Sequence, residues 1–181
     1  MAKEVYQHEL KVPKERVAVL IGVNGKIKKQ IEEKTKTKLE IDSEAGDVFI
    51  TGDDGLNIFN AKEVVQAIGR GFNPKIAMLI LKGDYVFEII NIKDYGKTKK
   101  SRLRLKGRVI GEDGRARKII EELTEAHISV YGKTVSIIGE PENCANAKHA
   151  IVSLLRGAPH SSVYRTLEKK RKLKKQEQMF E

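Results

Sequence analysis

Apolar and polar positions along the N-terminal part of the chain change period several times. Between Val5 and Val12 they alternate as in a strand, and Lys14 to Ile21 has the spacing of a short helix. Gly22-Val23-Asn24-Gly25 is too glycine-rich to continue that helix, which predicts a turn. Ile27 and Ile31 then fall four apart on the face of a second helix that opens at the turn. Leu39 and Ile41, then Val48 and Ile50, alternate as half-buried strands on either side of a turn at Glu44-Ala45-Gly46-Asp47. Helical spacing returns at Ile58, Ala61, Val64, Val65 and Ile68, and Gly69, Gly71 and Pro74 stop it.

The same pattern occurs twice. A shift of 89 positions lays Ile21 to Thr35 on Ile110 to Thr124 without gaps. Ile21, Gly22, Gly25, Lys29, Ile31, Glu32, Glu33 and Thr35 meet identical residues, where chance would give about one match. With small changes of register, Leu39-Glu40-Ile41 corresponds to Ile128-Ser129-Val130, Val48-Phe49-Ile50 to Val135-Ser136-Ile137, and Asn60-Ala61-Lys62 to Asn146-Ala147-Lys148. Solenoid repeats are shorter and come in longer arrays, so two complete small domains are expected.

The order strand, helix, Gly-x-x-Gly, helix, strand, strand, helix resembles the type I KH domain. Its marks are Ile21-Gly22-Val23-Asn24-Gly25-Lys26 in one copy and Val109-Ile110-Gly111-Glu112-Asp113-Gly114-Arg115 in the other. The resemblance implies an α+β fold of two tandem KH domains, each a three-stranded antiparallel sheet with helices on one face. The expected division is 1–73 for the first domain, 74–83 for a connector helix, 84–157 for the second domain and 158–181 for a basic C-terminal extension. A helix-helix turn needing positive φ would explain either glycine pair alone, but not its recurrence in the same frame.

Charge adds a partner to this picture. Lysine and arginine number 35 against 25 acidic residues, a formal net charge of +10, which suits a polyanion. The excess concentrates around the two loops. Lys11, Lys14, Arg16, Lys26, Lys28 and Lys29 surround the first, with Glu15 as the acid among them. Lys99, Lys100, Arg102, Arg104, Lys106, Arg108, Arg115, Arg117 and Lys118 surround the second, against Glu112 and Asp113. A helix opening at the second glycine offers backbone N–H groups and its positive dipole end to a phosphate, and KH domains clamp about four nucleotides there. Bases would lie in an adjoining apolar groove, lined by Ile21, Ile27, Leu39 and Ile41 in the first copy and by Ile110, Ile128 and Val130 in the second. The expected RNA-binding set is therefore Ile21, Gly22, Val23, Asn24, Gly25, Lys26, Lys28 and Lys29, with Arg102, Arg104, Lys106, Arg108, Ile110, Gly111, Glu112, Asp113, Gly114, Arg115, Arg117, Lys118, Ile128 and Val130. Glu112 and Asp113 depart from the basic or small residues common at these loop positions, and outward pairing with Arg115 or Arg117 would remove the conflict.

Other chemistries fit poorly. The lone Cys144 has no intramolecular disulfide partner, and four scattered histidines give no metal spacing, so neither metal nor cofactor is expected. Gly25-Lys26 lacks the earlier glycine of a P-loop, and Ile27 stands where its Ser or Thr belongs. Glu32, Glu33, Glu121 and Glu122 read as solvated surface or as partners of lysine one turn away. His127 reads as a strand residue within reach of a base. The apolar run Ile76 to Leu81 is far too short to cross a bilayer, and Met1-Ala2-Lys3-Glu4 has no apolar signal core, so a cytoplasmic, non-enzymatic protein is expected.

Two stretches narrow the family. Gly107-Arg108-Val109-Ile110-Gly111 with Gly114, and Gly157-Ala158-Pro159-His160-Ser161-Ser162-Val163-Tyr164, closely resemble the second KH domain and C-terminal extension of the partner-of-Nob-one family of small-subunit ribosome assembly factors. The intact first loop and the abundance of Lys, Glu and Ile resemble its archaeal branch. The resemblance implies binding of single-stranded RNA at the 3′ end of small-subunit (16S) rRNA, alongside a Nob-type endonuclease and other pre-ribosome factors, by a monomer. Spacing alone also admits another tandem-KH cofactor of RNA decay or processing. A helix-turn-helix DNA-binding regulator is the alternative from another class.

Overall fold

The computed structural model describes residues 4–180; residues 1–3 of the polar N-terminus and residue 181 lie outside it. The chain divides into two compact units, Met1–Tyr85 and Val86–Glu181.

In the first unit, β1 (Tyr6–Lys11) leads through Pro13 into α1 (Lys14–Ile21), the loop, and α2 (Lys26–Thr35). β2 (Lys38–Ile41) and β3 (Asp47–Gly52) form a hairpin, and α3 (Gly55–Gly69) follows. The hairpin turn is set by Asp42, whose Oδ1 accepts from the Glu44 and Ala45 N–H groups; those bonds hold its carboxyl below the usual carboxylate range. Asp54 caps α3 by accepting from the Leu56 and Asn57 N–H groups. The sheet order is β1-β3-β2, antiparallel throughout, with Leu39 opposite Ile50. Because successive strand residues alternate faces, Leu39, Val48 and Ile50 all turn inward. They meet Val17, Leu20, Ile31, Val64, Val65 and Ile68 from the helices, all buried.

The second unit repeats this order: β4 (Val86–Asn91), α5 (Lys99–Ile110), α6 (Arg115–Thr124), β5 (His127–Tyr131), β6 (Thr134–Gly139) and α7 (Pro141–Leu155). Its sheet order is β4-β6-β5, again with the last strand in the middle. Ile90, Leu105, Val109, Ile120, Ile128, Ile137, Ile151 and Leu154 share one core. Both units therefore have the expected α+β KH architecture.

The repeat continues past the third helix. Gly71 (φ +96°) and Gly157 (φ +100°) make the same turn, each donating its N–H to the carbonyl three residues back, Ile68 and Leu154, at 3.1 Å. After it the first unit has α4 (Pro74–Ala77) and a 3₁₀ turn, Met78–Leu81, packed on α3 with Ala77 buried. The second unit has α8 (His160–Met179), packed on α6 and α7 through buried Val163 and Leu167. Connector and basic extension thus follow the same turn in their two units.

Candidate nucleic-acid interface

The two Gly-x-x-Gly loops have almost the same backbone. Gly22 lies at φ 74°, ψ 174° and Gly111 at 73°, 174°. Asn24 and Asp113 lie at 53°, 30° and 52°, 28°. Gly25 and Gly114 lie at 71°, 16° and 73°, 13°. The first glycine occupies a region that only glycine adopts readily, the third and fourth positions the left-handed region. A tight turn results, in which Gly25 donates to the Gly22 carbonyl at 3.2 Å and Gly114 to the Gly111 carbonyl at 3.2 Å.

The paired glycines have different jobs. A Cβ on Gly111 would stand 2.6 Å from Ala116 Cβ and 2.7 Å from its backbone N, and one on Gly22 would stand 2.5 Å from Ile27 Cγ1. That space is filled by the next helix. A Cβ on Gly25 or Gly114 would meet nothing within 4 Å, so these glycines leave the outer face of the loop open to a ligand's main-chain approach. No side chain caps the turn at Gly22 or Gly111, or the helix start at Gly25 or Gly114. The N-terminal ends of α2 and α6 remain presented to an anion. Val23 is 82% exposed, and Asn24, Glu112 and Asp113 are also exposed.

This backbone accounts for Asp113. Asn and Asp are the side-chain-bearing residues that best tolerate left-handed φ, and the first loop puts Asn24 at the matching place. Neither expected arginine meets the carboxylate: Arg117 Nη1 pairs with Glu121 Oε2 at 2.9 Å, and among the described residues no ion pair joins Arg115 to Glu112 or Asp113. Glu121 is not mere surface either: its Oε1 accepts from the Ile128 N–H at 2.8 Å, as Glu32 Oε1 accepts from the Leu39 N–H at 2.9 Å. The repeated glutamate ties the second helix to an edge strand in both units, which replaces the reading of Glu32 and Glu121 as solvated surface.

The basic cluster also divides. Lys26, Lys29, Arg104, Arg115 and Lys118 are exposed, and Lys28 is half-buried. Arg108 is a correction to the expected set, because its Nε donates to the Leu154 carbonyl at 3.1 Å and its Nη2 to the Ala158 carbonyl. Arg16 does the same job in the first unit, donating to the Ile68 carbonyl at 2.9 Å and the Phe72 carbonyl at 2.8 Å. Both clamp the turn after the third helix. They come from different positions, five residues before Ile21 and two before Ile110, so the repeat alignment conceals their equivalence. Arg102 Nη1 donates to the Lys97 carbonyl at 2.9 Å, and Lys106 Nζ to the Gly132 carbonyl at 3.3 Å.

The groove is shallower than expected. Ile21, Ile27, Ile41, Ile110 and Val130 are half-buried beside the loops, but Leu39 is fully buried and Ile128 is 4% exposed. Ile128 faces the core and cannot touch a base. His127, beside it, is half-buried. Sequence reading counted Lys99 among the charges around the second loop but missed Lys133, which joins it only when α5 packs beside the β5–β6 turn. No group of acidic, histidine and cysteine side chains suited to a metal ion occurs among the described residues. Among them, too, no helix is long and apolar enough to cross a membrane.

Comparison with known proteins agrees with this geometry. A family model described as a eukaryotic type KH-domain (KH-domain type I) matches residues 86–172, and one described as a KH domain matches residues 7–67. A KH domain-containing protein of Methanocaldococcus jannaschii is 51% identical over 166 residues, covering 90% of this chain and 73% of that protein. The pre-rRNA-processing protein PNO1 of Chaetomium thermophilum is 34% identical over 108 residues, 58% of this chain and 42% of the fungal protein. The crystal structure of the a/eIF2α–aDim2p–rRNA complex of Pyrococcus horikoshii contains a chain with 49% identity and a TM-score of 0.86, matched over 93% of this chain and 95% of that one.

Proposed function

Since the chain belongs to the archaeal branch of the PNO1/Dim2 family of tandem KH-domain proteins, we propose that it is an RNA-binding factor of small-subunit ribosome maturation that holds single-stranded RNA near the 3′ end of 16S rRNA. The observation that carries this reading is the pair of loops whose dihedral angles agree within a few degrees, uncapped and open at their second glycine. Two phosphate seats built alike are what a protein gripping a strand by its backbone requires. The rRNA in the Pyrococcus complex and the pre-rRNA-processing name of the fungal relative supply the class of RNA. In this role the protein is a cytoplasmic, monomeric binder that positions the precursor for a Nob-type endonuclease, and cleavage itself belongs to that partner.

The chemistry is positioning. Loop amides and the helix dipoles take phosphate oxygens, and Lys26 and Arg115 supply counter-charge at the first position of α2 and α6. The half-buried isoleucines beside them offer apolar surface to a base. The test is anisotropy at fixed salt with a labelled single strand carrying the 3′-terminal small-subunit sequence, in competition with duplex DNA and with unrelated RNA. Preference for the rRNA strand supports the reading. Preference for duplex DNA would restore the helix-turn-helix regulator, and unaltered RNA affinity in Arg115→Glu/Lys118→Glu would remove the loop from the interface.

A further inference from the structure

The repeat carries a second motif besides its Gly-x-x-Gly loop. Asn57-Ile58-Phe59-Asn60-Ala61-Lys62 on α3 and Asn143-Cys144-Ala145-Asn146-Ala147-Lys148 on α7 share the pattern Asn-x-x-Asn-Ala-Lys in the same helix of each unit. In the second unit both asparagines have a use. Lys170 Nζ donates to the Asn146 Oδ1 at 3.0 Å and Lys174 Nζ to the Asn143 Oδ1 at 2.9 Å, which holds the basic helix α8 across α7. The lysines are four apart and the asparagines three apart, so one turn of each helix faces one turn of the other.

In the first unit the matching face of α3 is left without such a helix. After the turn at Gly71 the chain makes α4 and the 3₁₀ turn to Leu81, and β4 then begins at Val86. Among the described residues no lysine reaches the Asn57 or Asn60 side chain. Beside them Leu56, 67% exposed, and Phe59, 52% exposed, stand one turn apart, where the second unit has Glu142 and Ala145. Apolar side chains grouped on one helix face mark an interaction site, whereas scattered ones need no explanation. The local charge is opposite to that of the chain. From residue 53 to residue 63, Asp53, Asp54 and Glu63 stand against Lys62, in a protein of net charge +10. Lys62 is itself taken up, pairing with Glu63 at 3.8 Å and lying 5.3 Å from the Phe59 ring centroid. Such a surface matches a cationic partner and is a poor match for RNA.

We propose that this face of α3 docks a basic amphipathic helix of another protein, its apolar ridge against Leu56 and Phe59 and two of its lysines, one turn apart, on Asn57 and Asn60. The protein's own α8 shows the geometry but is not the occupant, since buried Val163 and Leu167 hold it in the second unit. The docking face shares no residue with the Gly22 to Gly25 loop, so the first unit holds a protein partner without giving up its phosphate seat.

The probe is a synthetic peptide of residues 160–179, the basic helix that already fits such an asparagine pair, held helical by a staple between Arg165 and Lys169, both exposed in α8. Titrated into the isotope-labelled full chain, it should shift the amide resonances of Leu56, Asn57, Phe59 and Asn60. Leu56→Ser/Phe59→Ser changes two exposed residues, with the fold checked by circular dichroism. It should weaken peptide binding at least tenfold and leave the affinity for single-stranded RNA within twofold of wild type. A peptide carrying Lys170→Glu/Lys174→Glu should bind at least tenfold more weakly as well. Absence of shifts on α3, or shifts confined to Asn143 and Asn146, where the peptide merely displaces α8, would overturn the proposal, as would equal binding by the double variant. Dimerisation of the wild type in sedimentation velocity, lost in the double variant, would assign the face to a second copy of the chain and overturn the separate partner.

Discussion

Replacing each glycine of the second loop by alanine should separate the loop's folding role from its binding role. Gly111 sits at φ +73°, ψ 174°, where a side-chain-bearing residue costs about 1–3 kcal/mol in backbone strain alone. Its new Cβ would also fall 2.7 Å from the Ala116 backbone nitrogen, which lies in the first turn of α6 and cannot swing aside as a flexible side chain would. Overpacking of that kind adds about 1–3 kcal/mol, so Gly111→Ala should lose roughly 3–5 kcal/mol. At Gly114 the added Cβ meets nothing, and the cost is the left-handed conformation alone, about 1–2 kcal/mol. For a domain of this size each kcal/mol lowers Tm by about 4–8 °C, so the difference of about 1–4 kcal/mol should make Gly111→Ala melt roughly 4–30 °C below Gly114→Ala. RNA binding should rank differently. Gly114→Ala stays folded yet places its methyl on the open face where a phosphate would approach, and its affinity for single-stranded RNA should drop at least tenfold. Thermal unfolding by circular dichroism and anisotropy on the same samples read both quantities. Equal Tm values would refute the assignment of roles within the loop, and wild-type RNA affinity in Gly114→Ala would refute the close approach.

Asp113→Asn keeps a residue suited to φ +52° and removes a carboxylate from the phosphate seat, so RNA affinity should rise about two- to tenfold with Tm unchanged; Asn24→Asp should lower it comparably in the first loop. Arg108→Ala removes two hydrogen bonds from a guanidinium to the turn after α7 and should cost about 2–4 kcal/mol in urea unfolding, while RNA affinity of the folded protein changes less than threefold. Burial, with Glu88 as a second cause, pushes the Cys144 thiol up to about 12. A raised thiol pKa keeps the group protonated at every pH below that value, so native protein at pH 8 should resist alkylation that proceeds readily in urea; rapid native labelling would contradict its burial.

How much of this was legible beforehand depends on how far apart the cooperating residues lie. The element order, both hairpins and both loops could be read from the chain, because hydrophobic period and glycine placement act within a few residues. Asn24 and Asp113 carried a readable signal as well, since each occupies a left-handed position that its residue type tolerates. Roles that depend on a distant partner could not be read. Arg16 and Arg108 counted as RNA-facing charge until their acceptors, more than forty residues away in sequence, were in place. Ile128 has the same alternating pattern whether its strand lines a groove or covers a core.

The amino-acid sequence by itself determined that this protein has two like units, each with a glycine-bracketed seat for an anion, because those features are local and are written twice. Tertiary structure alone decided which cations remain free for a ligand. A basic side chain is neutralised, fixed or left open by whatever packs opposite it, and for Lys99 and Lys133 that neighbourhood exists only once α5 lies beside the β5–β6 turn.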